Sequence, residues 1–323
     1  MRWLIYLALL PLALLGCLQS GSVTLSAEQL LLLFQPSEMA TTTSQLILQL
    51  RLPRMLCAML IGAALGLAGL LLQSRSGNPM ADPGMLGINQ GAALTVVLLL
   101  ISLPGLDPVL IPLAGLAGAL SITGLLWWLS QRCQPVALLL IGIALSSLLA
   151  ALTGLLLLVG EQQRITTVLT WLSGSLAAAD WNDVWLLSGY LLFLLPAGIW
   201  LCFRADPCLL DPLSRRMLGA EQTWLNSLSL LLVATLSALA VTVAGAIGFI
   251  GLLAPHLARL LHSPLPSRLA LPSMLSGALL CLLADTLGRA LFAPLQLPVG
   301  LVLAIIGAPM FLLLLITRKT LKR

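Results

Sequence analysis

The chain has 323 residues, of which 59% are hydrophobic and only 8% are charged, and its formal net charge is +5. Soluble globular domains carry about 25% charged residues, so this composition excludes a soluble protein and indicates a polytopic helical membrane protein. Aromatic residues make up 5% of the chain and do not alternate with basic ones, which argues against nucleic-acid binding.

The first apolar run, residues 3–18, has two interpretations. Arg2 and the segment 14–17, which ends in Cys17, resemble the signal peptide of a lipoprotein. The run is also suitable as a first transmembrane span with Arg2 left in the cytoplasm. We favour the span, because the rest of the chain has the composition of a membrane protein.

Residues 20–49 are too polar to cross a membrane, and residues 51–73 form the second predicted span. Three glycines of this span and its terminal glutamine recur at intervals of four, three and four, which puts them on one helical face. They are Gly62, Gly66, Gly69 and Gln73. The glycines predict close helix packing, and the glutamine is also a candidate for a polar pathway.

Residues 78–91 are rich in proline and glycine, which predicts a loop or a broken helix. Irregular backbone at membrane depth is tolerated where it is buried in protein or lines water, so the segment is either a channel wall or an ordinary cytoplasmic turn. The candidate pathway or gate residues are Gln73, Asn78, Pro79, Met80 and Asn89.

Further spans are predicted at residues 92–103, 109–129, 136–159, 184–203, 224–244, 269–291 and 299–316. Together with the two spans above and a short helix over residues 252–261, they give about ten crossings. The polar segments 161–183 and 204–222 separate three of them. If the N-terminus is inside, twelve of the sixteen Lys and Arg residues lie inside, as the positive-inside rule requires.

The segment 245–259 combines three glycines with Pro255, His256 and Arg259. We predict that a helix ends near the first glycine and that a short helix over residues 252–261 follows a glycine-rich turn. A plain kink between two spans is the alternative. The helix-break residues are Gly245, Gly248, Gly251 and Pro255.

No catalytic or metal-binding constellation is visible in the sequence. It has two histidines, His256 and His262, and six scattered cysteines without a Cys-x-x-Cys pair, and it lacks a P-loop motif. We therefore predict a protein that is not an enzyme, with no cofactor and no metal. A proton-coupled transporter would need ionisable groups in the membrane, but only Asp285 qualifies, and Arg289 one turn later can neutralise it.

Several segments together resemble the FecCD-type permeases, the membrane subunits of bacterial ABC importers for iron–siderophore complexes, haem and cobalamin. The matching motifs occur in the same order from residue 50 to residue 309. They are LRLPR (50–54), 62–73, NPMADPGMLG (78–87), 245–259, Ala284 and Asp285 with Arg289, LPVG (297–300) and IGAP (306–309).

The resemblance implies an all-α polytopic membrane protein with about ten transmembrane helices, the type II ABC importer permease fold, as a single domain over residues 1–323. It implies the bacterial inner membrane, with both termini cytoplasmic. It also implies the partners: a second permease subunit in a homo- or heterodimer, two cytoplasmic ATPase subunits, a periplasmic substrate-binding protein and membrane lipid, but no nucleic acid.

The resemblance further implies where two partners bind. The helix that enters the ATPase matches residues 213–220, although this run is shorter and more proline-broken than usual. The ATPase-coupling candidates are Arg215, Arg216, Met217, Leu218, Gly219 and Ala220. The candidates for binding-protein docking are Arg51, Arg54 and Arg289. For Arg215 and Arg216 the alternative is a solvated basic loop. For Arg289 the alternative is simple pairing with Asp285.

Residues 85–92 and 170–175 look most like ferric citrate and ferric siderophore permeases. The nearly uncharged pathway segment suits a large chelate better than a bare cation, which would want carboxylate or imidazole ligands. We therefore predict import of an iron(III) chelate. Cobalamin and haem remain alternatives within the family, and a secondary transporter is the alternative from another class.

Overall fold

The structure is a computed structural model that describes residues 3–19, 45–103, 110–133, 135–159, 169, 171–209, 214, 217, 223–291 and 296–321. Within these ranges the chain is helical and contains no strand. The α-helices are α1 (Trp3–Gln19), α2 (Leu52–Ser76), α3 (Ile88–Ser102), α4 (Leu110–Ser130), α5 (Pro135–Val159), α6 (Trp181–Phe203), α7 (Thr223–Ala244), α8 (Ile250–Leu261), α9 (Pro266–Ala290) and α10 (Val299–Leu321). A π-helical turn (Leu46–Arg51) leads into α2, and 3-10 turns (Pro83–Leu86 and Asp206–Leu209) precede α3 and follow α6.

Six helical segments in the described part of the chain are long and apolar enough to cross a membrane, judged by length and composition. They are Leu46–Ser76, Leu110–Ser130, Leu140–Leu158, Trp181–Phe203, Trp224–Ala244 and Pro266–Ala290. In the remaining helices the apolar stretches are shorter, 10–17 residues each. The architecture confirms the predicted fold class, an all-α polytopic membrane protein.

Helix α2 is the centre of the fold. It packs against α6, α7, α8 and α9, and its residues are buried along most of its length. A helix that is apolar all round is stable only when other helices or lipid surround it. Its neighbours can approach closely because three of its positions are glycines.

The glycine face predicted for α2 lies in close contact with α8 and α9. A Cβ added at Gly62 would lie 2.2 Å from the carbonyl oxygen of Gly277 in α9, and one at Gly66 would lie 2.3 Å from that of Ser273. A Cβ at Gly69 would lie 1.9 Å from the carbonyl oxygen of Gly251 in α8. The predicted packing role of these glycines is confirmed.

Helix α5 is the least buried of the six candidate spans. Only 17% of its most apolar stretch is buried, although it is among the most hydrophobic helices. Its exposed apolar side chains are Leu140, Ile143, Leu148, Leu152, Leu155 and Leu158. In a membrane protein such a surface contacts lipid or another subunit.

Four helices, α3, α6, α8 and α9, begin two to four residues earlier than predicted. Helix α3 begins at Ile88 rather than residue 92, because Gly87 adopts a left-handed conformation (φ +80°) and serves as the N-cap immediately before it. Helix α8 begins at Ile250 rather than residue 252, so Pro255 lies inside the helix. Because α3 begins at Ile88, Asn89 lies in a helix and not in a loop.

Candidate functional site

A cavity of about 680 Å³, here called the central cavity, lies among the turn before α3, helix α5, the α7–α8 connection and helix α10. Its lining includes Asp82, Met85, Asn89, Gln90, Ser146, Gly248, Phe249, Phe311 and Leu312. These side chains are apolar, amide or hydroxyl groups with one carboxylate. The cavity can therefore surround a bulky solute but offers few ligands for a bare metal ion.

The α7–α8 connection brings irregular backbone to this cavity. Helix α7 ends at Ala244, and Gly245 follows with φ +69°, a left-handed conformation that favours glycine. A Cβ at Gly245 would also lie 2.2 Å from the carbonyl oxygen of Trp171. By contrast, a Cβ at Gly248 would meet open space, so no contact in the structure requires glycine there.

Phe249 is a cavity residue that sequence reasoning missed. Its φ is +68°, which is rare for a bulky side chain and unfavourable by roughly 1–3 kcal/mol. The absent side chain of Gly307 makes room for its ring, since a Cβ there would lie 2.6 Å from the ring. Asp82 faces the backbone N–H of Phe249. In the sequence, the only signal for Phe249 was its position between Gly248 and Gly251.

Gln73, one of the predicted pathway residues, makes hydrogen bonds within the protein. It is 3% exposed, and its Nε2 donates to the carbonyl oxygen of Gly251 at 3.1 Å. In a regular α-helix the carbonyl oxygen of Gly251 would accept from the backbone N–H of residue 255, but Pro255 has no N–H. The Oε1 of Gln73 accepts a hydrogen bond from Arg259 at 2.7 Å. Gln73 therefore satisfies the carbonyl group that the proline leaves without its helical partner.

Of the other pathway candidates, the structure places only Asn89 on the central cavity. Asn78 is exposed, and its Oδ1 accepts from the backbone N–H of Met80 at 3.0 Å, which forms a local turn. Pro79 and Met80 are partly exposed in the same turn. Gly251, from the helix-break set, leaves space for the Pro83 ring and the Asp82 carboxylate at the edge of the cavity.

The three arginines predicted to dock a partner line one cavity of about 460 Å³, together with Gln296. We call it the arginine cavity. It lies where α2 begins and α9 ends. The arginines are nevertheless well covered, since Arg51, Arg54 and Arg289 are 6%, 8% and 5% exposed.

Asp285 holds two of these arginines. The Nη2 of Arg54 lies 2.7 Å from Oδ1 of Asp285, and the Nε of Arg289 lies 3.1 Å from Oδ2. The Nη1 of Arg54 donates to Gln296 at 2.9 Å, and Arg51 donates to the carbonyl oxygen of Leu18. Sequence reasoning paired Asp285 with Arg289 only. The cavity keeps a positive excess, because three guanidinium groups face one carboxylate.

Most of the ATPase-coupling candidates are not among the residues that the structure describes. Arg215, Arg216, Leu218, Gly219 and Ala220 lie outside the described residues. Met217 is described and is 79% exposed. Nearby, both carboxylate oxygens of Asp206 accept hydrogen bonds from Ser267, which joins the segment after α6 to the first turn of α9.

Comparison with known proteins assigns the chain to a family. The profile of the FecCD transport family matches residues 9–317. The chain belongs to the FecCD transport family. The match confirms the resemblance predicted from the motifs, and the family consists of membrane permease components of ABC transporters.

Individual FecCD relatives agree in extent. The Fe(3+) dicitrate transport system permease protein FecD of Escherichia coli (strain K12) is 38% identical over 270 residues, covering 84% of this chain and 85% of FecD. The vitamin B12 import system permease protein BtuC of Serratia proteamaculans (strain 568) is 36% identical over 295 residues, covering 89% and 87%.

A solved structure, described as a metal-chelate-type ABC transporter in an inward-facing conformation, superposes with a TM-score of 0.84. It is 28% identical in sequence, and the match covers 97% of this chain and 99% of that one. This likeness confirms the predicted type II ABC importer permease fold and shows that the FecCD chain is a multi-pass membrane protein.

Proposed function

We propose that this FecCD permease is the transmembrane subunit of a binding-protein-dependent ABC importer that moves an iron(III) chelate into the cytoplasm. The central cavity carries the proposal. Its volume of about 680 Å³ lies in the range typical of small-molecule sites, and its lining is nearly uncharged. FecD, which is similar over most of the chain, belongs to a ferric dicitrate transport system.

The lining supports a chelate over a bare ion. Among the described residues, no three His, Cys, Asp or Glu side chains come together in a way that could hold a metal. A chelator already supplies oxygen ligands to iron, so the permease needs only to surround the complex and exclude leakage. Asn89, Gln90 and Ser146 offer hydrogen bonds to its polar rim.

The exposed apolar face of α5 supports a second permease subunit, because Ser146 on the same helix also lines the central cavity. We propose that the pathway forms between two permeases, in a homo- or heterodimer. The chain forms one domain over residues 1–323 in the bacterial inner membrane. Its N- and C-termini are cytoplasmic, as the distribution of Lys and Arg favours.

Uptake by a strain that lacks its own chelate permeases tests the substrate class. The strain receives the permease with its ATPase and binding protein, and it is offered radiolabelled ferric citrate, a ferric hydroxamate, haem and cobalamin in separate assays. We expect ATP-dependent uptake of an iron(III) chelate. Uptake of cobalamin or haem alone would replace the substrate assignment, and uptake without the ATPase would contradict the importer.

We further propose that the arginine cavity receives an acidic side chain of the periplasmic binding protein. Three guanidinium groups around an open cavity can orient a carboxylate and attract an acidic surface. Arg54 and Arg289 share Asp285, so a charge reversal at Arg54 would disturb the fold as well as docking. Arg51, which donates to a backbone carbonyl, is the better position to change.

The expected result for Arg51→Glu is a roughly tenfold loss of binding-protein affinity at low salt, with a smaller loss at high salt, because salt screens the long-range attraction between the arginine cavity and an acidic partner. Binding of the reconstituted importer to the immobilised binding protein measures this. Arg204→Glu, at the opposite end of the molecule, is the matched control. Unchanged affinity at low ionic strength would mean that Arg51 only anchors the start of α2.

The third proposed contact is between residues 213–220 and the ATPase. Small residues next to a basic pair suit a helix pressed into a partner's groove. We expect Gly219→Trp to abolish transport and ligand-stimulated ATP hydrolysis while membrane insertion persists, and Gly219→Ala to retain much of both. Hydrolysis and uptake are measured in proteoliposomes. Wild-type coupling in the Trp variant would rule this contact out.

A further inference from the structure

A third cavity, of about 330 Å³, lies at the end of the molecule opposite the arginine cavity and takes no part in the functions above. The last turn of α2, the end of α4, the beginning of α5 and the first turns of α7 enclose it. Arg75 and Arg132 are its charged lining residues. We call it the Arg75 cavity.

Arg75 has no carboxylate partner among the described residues that line this cavity. Its guanidinium donates to Asn226 Oδ1 at 3.4 Å, to the carbonyl oxygen of Leu201 at 3.5 Å and to Cys208 Sγ at 3.8 Å, all long contacts to neutral groups. Its Nε is buried and makes no hydrogen bond. A partly buried cation with only distant neutral partners is costly, so an anion supplied from outside would stabilise it.

Arg132 provides a second guanidinium at the rim of the cavity. It lies 4.6 Å from the centre of the Trp128 ring, a cation–π contact that holds it beside the opening. The nearby hydroxyl of Ser130 already donates within the protein, at 2.7 Å to the carbonyl oxygen of Trp127. The two arginines therefore dominate recognition, and paired guanidinium groups suit the oxygens of a phosphate.

Apolar side chains form one wall of the cavity, namely Leu71, Leu72, Leu86, Leu138, Leu230 and Val233, while Ser76, Gln131, Asn226 and Ser229 add neutral polar groups elsewhere in the lining. Trp127 and Trp128 lie exposed on the adjacent face of α4, as expected of aromatic residues at a membrane interface. A free phosphate ion would leave this wall unused. A molecule with an anionic head and a hydrocarbon tail would use both parts.

We propose that the Arg75 cavity binds the phosphate headgroup of an anionic phospholipid, with an acyl chain along the leucine wall. Basic pockets between transmembrane helices at the basic side of a membrane are suited to such headgroups. In the topology proposed above this is the cytoplasmic leaflet. The site is distinct from the central cavity, so its failure would leave the transport proposal intact.

Native mass spectrometry of the delipidated importer, with its ATPase subunits bound, tests this site. Phosphatidylglycerol, phosphatidylcholine with the same acyl chains, and inorganic phosphate are titrated separately. We expect one phosphatidylglycerol per permease, bound roughly tenfold more tightly than phosphatidylcholine. Arg75→Gln should remove this preference, since about tenfold corresponds to one charge-assisted hydrogen bond.

Arg204→Gln is the matched control. Arg204 also lies over a tryptophan, 5.4 Å from the Trp200 ring, but it does not line the Arg75 cavity, and its variant should bind lipid normally. If Arg75→Gln does not fold, Arg132→Gln at the exposed rim should still weaken phosphatidylglycerol binding. Equal binding of the two lipids, or unchanged binding in the arginine variants, would overturn the site. Displacement by equimolar inorganic phosphate would overturn the lipid assignment.

Discussion

Asp285→Asn is expected to destabilise the permease by roughly 3–5 kcal/mol, because it leaves two buried guanidinium groups without their shared counter-charge. Arg54 and Arg289 both depend on this carboxylate, at 2.7 and 3.1 Å. The Arg54–Asp285 pair joins the start of α2 to the end of α9, so its loss should loosen the central helix pair. The thermal midpoint in detergent and the yield of monodisperse protein measure the effect.

Asp180→Asn is the control for the same chemical change. Asp180 is the exposed N-cap of α6 and accepts from the backbone N–H groups of Asn182 and Asp183. Asparagine caps a helix about as well as aspartate, so this variant should keep the wild-type midpoint. Equal midpoints for Asp285→Asn and wild type would mean that water or the rest of the cavity compensates both arginines.

Gly69→Ala, the addition of a single methyl group, is expected to prevent the native approach of α2 and α8. The new Cβ would lie 1.9 Å from the carbonyl oxygen of Gly251, and backbone atoms cannot move aside as a flexible side chain can. Overpacking of this kind costs roughly 1–3 kcal/mol or more. We expect a large drop in folded protein, measured by size-exclusion chromatography of membrane extracts, and loss of transport.

Gly189→Ala in α6 provides the comparison, since a Cβ there meets nothing within 4 Å. Alanine favours helix over glycine by about 1 kcal/mol, so this variant should fold at least as well as wild type. If Gly69→Ala and Gly189→Ala give the same yield, the interface between α2 and α8 is more adaptable than the glycine contact implies.

Local features of this protein were readable from its sequence. Composition indicated a membrane protein, because so few charged residues cannot cover a soluble surface. The spacing of Gly62, Gly66 and Gly69 predicted close packing, since helical periodicity alone puts them on one face. The motif order led to the FecCD family, which the comparisons confirm.

Only the tertiary structure decided which distant groups meet. Arg54 and Asp285 are 231 positions apart, and the antiparallel packing of α2 against α9 brings them into contact. Gln73 is a pathway candidate by its polarity, and only the structure shows that it donates to a carbonyl that Pro255, far along the chain, leaves without a partner. Phe249 has a left-handed backbone, and the missing side chain of Gly307 leaves room for its ring. Periodicity and composition describe one segment at a time, whereas these contacts depend on how separate helices cross and on what each leaves unpaired.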